Sequence, residues 1–188
     1  MSTLDPRTTA LVLIDLQDGI VAGDKAPYSG HAVVETAKNL AARFREKSAP
    51  VVLVHVGFRN EEEVPSRHVD DAIPIPTGGT PPAFYAFAGG LHQPGDIVVL
   101  KHNWGAFTGT DLDLQLRRRG VKTVVVAGIA TNFGVESTVR SASELSYDVV
   151  VVEDACTSMT ADLHSFAIEK ILPRIARIVS ADDLTLGE

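Results

Sequence analysis

Short runs rich in β-branched residues recur along the whole chain: Thr9 to Leu16, Val51 to Val56, Ile97 to Leu100, Thr123 to Ala127, Val149 to Val152 and Ala176 to Val179. Helical patterns fill the gaps at about His31 to Lys47, Asp111 to Arg119, Phe133 to Leu145 and Ala161 to Ile171. A strand, a helix and another strand in that rhythm call for parallel pairing. The strand runs are apolar at consecutive rather than alternate positions, so both faces of the sheet must be covered by helices. This predicts an α/β protein with an open, doubly wound parallel sheet rather than a sandwich. At 188 residues, positions 1–188 make a single domain with a substantial core.

Composition narrows the function. Hydrophobic residues at 45% and charged residues at 22% are ordinary for a globular chain, which argues against disorder and against a membrane span. The formal charge of −7, with no basic run beyond Arg117-Arg118-Arg119, disfavours nucleic acid as a partner. Met1 to Ala10 lack the basic and apolar segments of a secretory signal, so a cytoplasmic location is expected. A lone cysteine, Cys156, excludes an internal disulfide and a thiolate-rich metal site.

Local signals mark the boundaries. Thr110 precedes Asp111 and Asp113, Thr160 precedes Asp162, and the arginine triplet falls in a last helical turn before Gly120. One long irregular stretch, Gly57 to Gly95, carries six prolines, and loops of that length in compact domains are usually functional or interface-forming. Within it Glu61-Glu62-Glu63 reads as an exposed acidic patch.

In a parallel sheet the residues just past the strand C-termini share one crevice. The first strand delivers Asp15 and Gln17 there, the third delivers Lys101, and the fourth runs through Gly128 into Ala130-Thr131-Asn132-Phe133-Gly134 at the start of a helix. Such an elbow aims backbone N–H groups at whatever sits above the sheet. It offers amides but no nucleophile, because Phe133-Gly134-Val135 has neither thiol nor hydroxyl. An acid, a cation and an anion cradle thus converge from distant parts of the chain.

Three motifs, Leu13-Ile14-Asp15-Leu16-Gln17, then Lys101 followed by Ala106-Phe107 and Gly109-Thr110-Asp111-Leu112, then Gly128-Ile129-Ala130-Thr131-Asn132 leading to Val135-Glu136-Ser137-Thr138, resemble the isochorismatase-like cysteine hydrolases in order and spacing. The resemblance spans about Leu11 to Asp183. It implies a three-layer α/β/α, Rossmann-like domain with a six-stranded parallel sheet, commonly a homo-oligomer. The family's catalytic aspartate, lysine and cysteine map to Asp15, Lys101 and Gly134, and its non-proline cis peptide maps to Ile129–Ala130. The thiol is therefore missing, and with it the acyl intermediate that the family's amidases need. The family's isochorismatases hydrolyse a vinyl ether instead, by proton delivery from the aspartate and attack of water, and some resemble this chain in having glycine at that position. The resemblance thus implies a hydrolase of a small, anionic metabolite, with Asp15 as general acid or base and Lys101 as its electrostatic partner. The alternatives are a catalytically silent homologue that binds a ligand or assembles, or an amidase whose nucleophile has been removed.

Around this set, Gln17, Ile129, Ala130, Asn132 and Phe133 are the expected substrate contacts. His102 and Trp104 are expected to line the pocket or an oligomer contact, Phe107 to add an apolar wall, and Arg59 to meet a substrate carboxylate or serve as a helix cap or loop anchor. His55 reads as a satisfied core or strand-end residue, and Cys156, following the fifth strand, as a small buried hydrophobe rather than a displaced nucleophile. His55-Val56-Gly57-Phe58-Arg59 lacks the ligand spacing of the family's metal-binding nicotinamidases, so no metal is expected. Asp15-Leu16-Gln17-Asp18-Gly19-Ile20 lacks a dinucleotide-binding glycine pattern, and no cofactor is expected.

Overall fold

The computed structural model describes residues 3–58, 63–64, 68–71 and 80–188. Its sheet has the strands β1 (Thr9–Ile14), β2 (Val51–Val56), β3 (Ile97–Lys101), β4 (Thr123–Ile129), β5 (Asp148–Thr157) and β6 (Arg177–Val179). They lie in the order β3-β2-β1-β4-β5-β6, every pair parallel. The chain builds outward from β1 in one direction and from β4 in the other. After the single turn of α1 (Asp18–Val21), right-handed crossovers put α2 (Gly30–Glu46) and α4 (Glu136–Glu144) on opposite faces. The seam between β1 and β4 is the switch point, where a doubly wound sheet opens a crevice beyond its strand C-termini.

Each element follows from its side chains. All of β1 is buried, consistent with a central strand covered twice. Helix α2 turns Val33, Val34, Ala37, Leu40, Ala41 and Phe44 to the sheet, and Ser29 caps it by accepting the Ala32 N–H at 3.2 Å. The short helix α3 (Leu112–Arg118) buries Leu112 and Leu116, with Arg117 and Arg118 in its last turn before Gly120 at φ 68°. Gly128 has no substitute: a Cβ there would lie 2.1 Å from the Ile14 carbonyl oxygen, at a register shift between β4 and β5. Among the described residues no helix is long and apolar enough to cross a membrane.

Several boundaries differ from expectation. β1 stops at Ile14 because Asp15 turns to φ 54°, and Gln17 N–H bonds back to its carbonyl. β5 runs on through polar Glu153 and Asp154 to Thr157, so Cys156 lies within the strand, not after it. The fourth helix begins with a wide π-turn, Thr131–Val135, and the fifth, α5 (Ala161–Phe166), passes into another over Ala167–Ile171. Edge strand β3 leaves Val98 and Leu100 exposed at 44% and 40%, so helices do not cover both faces out to the sheet's end. In the Gly57 to Gly95 stretch, the chain returns through 3-10 turns at Pro82–Tyr85 and Ala88–Gly90 and bonds Ala88 N–H to the Leu16 carbonyl. Glu61 and Glu62 lie outside the described residues. Glu63 is not exposed as expected: its side chain is 17% accessible, 3.9 Å from the His102 ring.

Candidate active site

The register fixes what faces what. Ile14 pairs with Val54 and Val54 with Val99, so Lys101, two residues further, projects from Ile14's face of the sheet. Plain alternation would send Asp15 to the other face. Instead its left-handed backbone lets its carboxylate meet Lys101, with Nζ 2.8 Å from Oδ2. An L-residue pays on the order of 1 kcal/mol or more for that conformation, a strain that functional sites tolerate and aspartate tolerates better than most.

The pair is dry. Asp15 is 6% and Lys101 2% exposed, and Lys101 Nζ also donates to the Asn103 carbonyl at 3.0 Å. Asp15 Oδ1 is buried with no hydrogen-bond partner. Burial pushes the Asp15 carboxyl up to about 6, with the charge and hydrogen bond of Lys101, and last the nearby Val56 N–H, whose hydrogen bond goes to Gln17 Oε1, pulling the other way. One oxygen is thus held by a cation while the other is free to carry a proton.

Gly134 sits beside it. A Cβ added there would lie 3.0 Å from Ile14 Cγ2, 3.2 Å from Asp15 Oδ2 and 3.4 Å from the Trp104 carbonyl. The turn that carries Gly134 leaves β4 through a cis peptide at Ile129–Ala130. The Ala130 carbonyl accepts both the Phe133 and Val135 N–H groups, at 3.1 and 3.2 Å, around Gly134. Wide turns of this kind recur at functional sites. Thr138 locks it from below, donating to the Gly134 carbonyl at 2.7 Å and accepting the Ala106 N–H at 3.1 Å, which ties the elbow to the segment after Lys101. Thr131 bonds to buried His164, and Asn132 accepts from the Ser158 hydroxyl.

The structure therefore brings Asp15, Lys101 and Gly134 together, with Ile129, Ala130, Asn132 and Phe133 around them. Trp104, 56% exposed, packs its ring 4.8 Å from that of Phe133. Other expected contacts fall elsewhere. Gln17 is fully buried and spends its amide on Val56, accepting its N–H at 2.8 Å and donating to its carbonyl at 3.0 Å, so it braces β1 against β2 and is no substrate contact. Phe107 packs against Tyr147, beyond the far end of α4, and does not wall the crevice. Arg59 lies outside the described residues. His55 stacks on Phe87 at 5.2 Å with its Nδ1 buried and unpartnered, so it is not the satisfied histidine expected, and burial lowers its pKa. His102 is used in the loop: its Nδ1 donates to the Gly57 carbonyl at 2.5 Å. Cys156 is fully buried and its thiol is pushed up to about 12 by burial, far from the thiolate a nucleophile needs. Among the described residues no three His, Cys, Asp or Glu side chains gather as a metal site would need.

A concave surface at the N-terminal end of the strands is lined by Arg7, Arg45 and Arg119 among others. Each of these is already engaged, with Asp5, Asp96 and Gln115 respectively, so the crevice at Asp15 holds the reactive groups. Thr131, Thr138 and His164 were not singled out as site residues from sequence. Only Thr138 left a local signal, as a threonine four residues after Gly134.

Residues 9–183 match the isochorismatase domain. The chain is 44% identical over 185 residues to the isochorismatase family protein YecD of Escherichia coli O157:H7, covering 98% of each. It is 32% identical over 193 residues to the ureidoacrylate amidohydrolase RutB of Methylobacterium radiotolerans, covering 89% of this chain and 74% of that one. The solved structure of an isochorismatase family protein from Burkholderia thailandensis superposes with a TM-score of 0.88 at 46% identity, over 97% of this chain and 95% of that one. A six-stranded, all-parallel α/β fold with its crevice at the β1/β4 seam, together with these matches, makes the class an α/β hydrolytic scaffold. The chain belongs to the isochorismatase family.

Proposed function

We propose that this chain hydrolyses an enol ether of a small anionic metabolite by general acid catalysis, with no covalent intermediate at position 134. The observation that carries this reading is Asp15 itself: buried, raised to about 6, one oxygen on Lys101 and the other unpartnered, next to a residue without a side chain. The proton on Oδ1 passes to the enol carbon, leaving an oxocarbenium ion whose charge the restored carboxylate balances. Water adds to that cation and returns its proton to Asp15. The resulting hemiketal collapses to a carbonyl compound and an alcohol, moving its own hydroxyl proton to the departing oxygen. Lys101 and the elbow amides orient the substrate's negative charge.

Product formation from isochorismate by the wild-type protein and Asp15→Asn, with nicotinamide and simple amides in parallel, tests this. Asp15-dependent cleavage of isochorismate alone supports it, and equal turnover by both proteins sinks it. Saturable binding without product from any of them points to a silent homologue. The contact at Gly134 favours a second reading, an amidase site lacking its thiol, because a side chain there would adjoin the Asp15 carboxylate. Gly134→Cys then regains burst-phase acylation with amides, which an ether-hydrolase pocket does not. Homo-oligomer assembly belongs to the same proposal, supported by the exposed apolar Val98 and Leu100 on edge strand β3. Light scattering of the purified protein reads it directly.

A further inference from the structure

Behind the elbow lies a polar chain that the reaction above does not use. The Thr131 hydroxyl is 2.8 Å from His164 Nδ1, and His164 Nε2 is 3.2 Å from Glu153 Oε1, which also accepts the Tyr28 hydroxyl at 3.0 Å. Thr131 is fully buried and His164 2% exposed, and both spend their side-chain polar atoms within this chain. The chemistry of the partners assigns the hydrogens. A carboxylate only accepts, so Nε2 donates to Glu153; with the ring as the Nε2–H tautomer, Nδ1 accepts and the Thr131 hydroxyl donates. Thr131 is the first residue of the π-turn, directly after the cis peptide, and the next residue, Asn132, is held by Ser158. The turn is thereby fastened from α5 and β5, elements with no other part in the crevice.

We propose that Thr131 and His164 are positioning residues: the Glu153–His164–Thr131 chain sets where the turn around Gly134 stands relative to the Asp15 carboxylate. The inference rests on the hydrolase reading for its kinetic consequence, but the placement of the turn has its own readout. Trp104 is the single tryptophan of the chain and packs on Phe133 of the turn, so its emission reports on that turn's position.

Four substitutions separate the contacts. Thr131→Val removes the hydroxyl and Thr131→Ser keeps it. His164→Asn keeps an acceptor where Nδ1 stands, and His164→Gln keeps a donor toward Glu153 while losing the acceptor. Thr131→Val and His164→Gln are expected to lower kcat by roughly ten- to a hundredfold with KM little changed, as for a misplaced reacting geometry. Thr131→Ser and His164→Asn are expected to stay near wild type, and Trp104 emission to shift only in the first pair. Equal losses in His164→Asn and His164→Gln overturn the proposal, as does wild-type kcat in Thr131→Val. If Thr131→Val does not fold, the histidine pair decides alone. If wild type turns over no isochorismate, the hydrolase reading fails, while the emission of the four variants still decides the placement: a shift in the first pair alone sustains it, and no shift overturns it.

Discussion

The two ends of the sheet each bury a carboxylate against a cation, and they do so differently. At the strand N-termini Arg45 grips Asp96 with both arms of its guanidinium, at 3.0 and 2.7 Å, and donates a third bond to the Leu91 carbonyl, while the Gln93 N–H bonds to the same carboxylate at 2.8 Å. Every strong acceptor there is used. At the C-termini Lys101 touches one oxygen of Asp15 and the other has no partner. Burial alone therefore does not mark a functional carboxylate. What distinguishes the two is satisfaction: a fully bonded pair holds a loop to a helix, and a half-bonded one keeps an oxygen available for a proton.

The sharpest way to break this comparison is to remove each acid in turn. Asp15→Asn is expected to lower isochorismate turnover by about 10²- to 10⁴-fold while the protein stays folded, measured by initial rates beside a circular dichroism melt. Asp96→Ala is expected to do the reverse, costing about 3 to 5 kcal/mol in urea unfolding as it strands Arg45, with turnover of the folded fraction unchanged. A turnover loss in Asp96→Ala larger than its loss of folded protein would erase the distinction between the ends.

Proton linkage gives the next effect. Asp15 moves from 3.8 unfolded to about 6 folded, so the native state binds its proton more tightly. The stability this contributes is complete below pH 3.8 and is lost as pH rises through about 6, roughly 3 kcal/mol in all. Subtracting the pH–stability curve of Asp15→Asn from that of wild type isolates this fall. Turnover that needs the protonated acid declines about tenfold per pH unit above about 6, and a rise over that range would assign Asp15 as a base instead. The smallest effect is Gly134→Ala, whose methyl crowds Ile14 and Asp15 and is expected to cost about 1 to 3 kcal/mol, read as a lower melting temperature.

The sequence made the sheet legible because four buried strands need consecutive apolar residues, and such runs have few other uses in a chain of this length. It also made Asp15, Lys101 and Gly134 legible, since parallel strands bring their C-termini to one edge. Gln17 was misread because its partner lies 39 residues away, and an amide that bonds to a distant backbone looks the same in sequence as one that awaits a substrate. The contact between Thr131 and His164 spans 33 residues for the same reason. Phe107 failed because an aromatic residue after Lys101 can turn along α4 as readily as toward the crevice. β5 was cut short at Val152 because Glu153 and Asp154 interrupt the apolar run, yet one holds Tyr28 and His164 and the other accepts the Ala181 N–H.

The left-handed turn at Asp15 has a consequence for variation at that position. Backbone and chemistry filter it separately: glycine, asparagine and aspartate suit the conformation, while glutamate, the nearest substitute as an acid, meets the strain of an ordinary side chain and sits one methylene too long for Lys101. A randomised library at this codon, selected first for folded protein and then for turnover, should pass through a set of three residues and end with one.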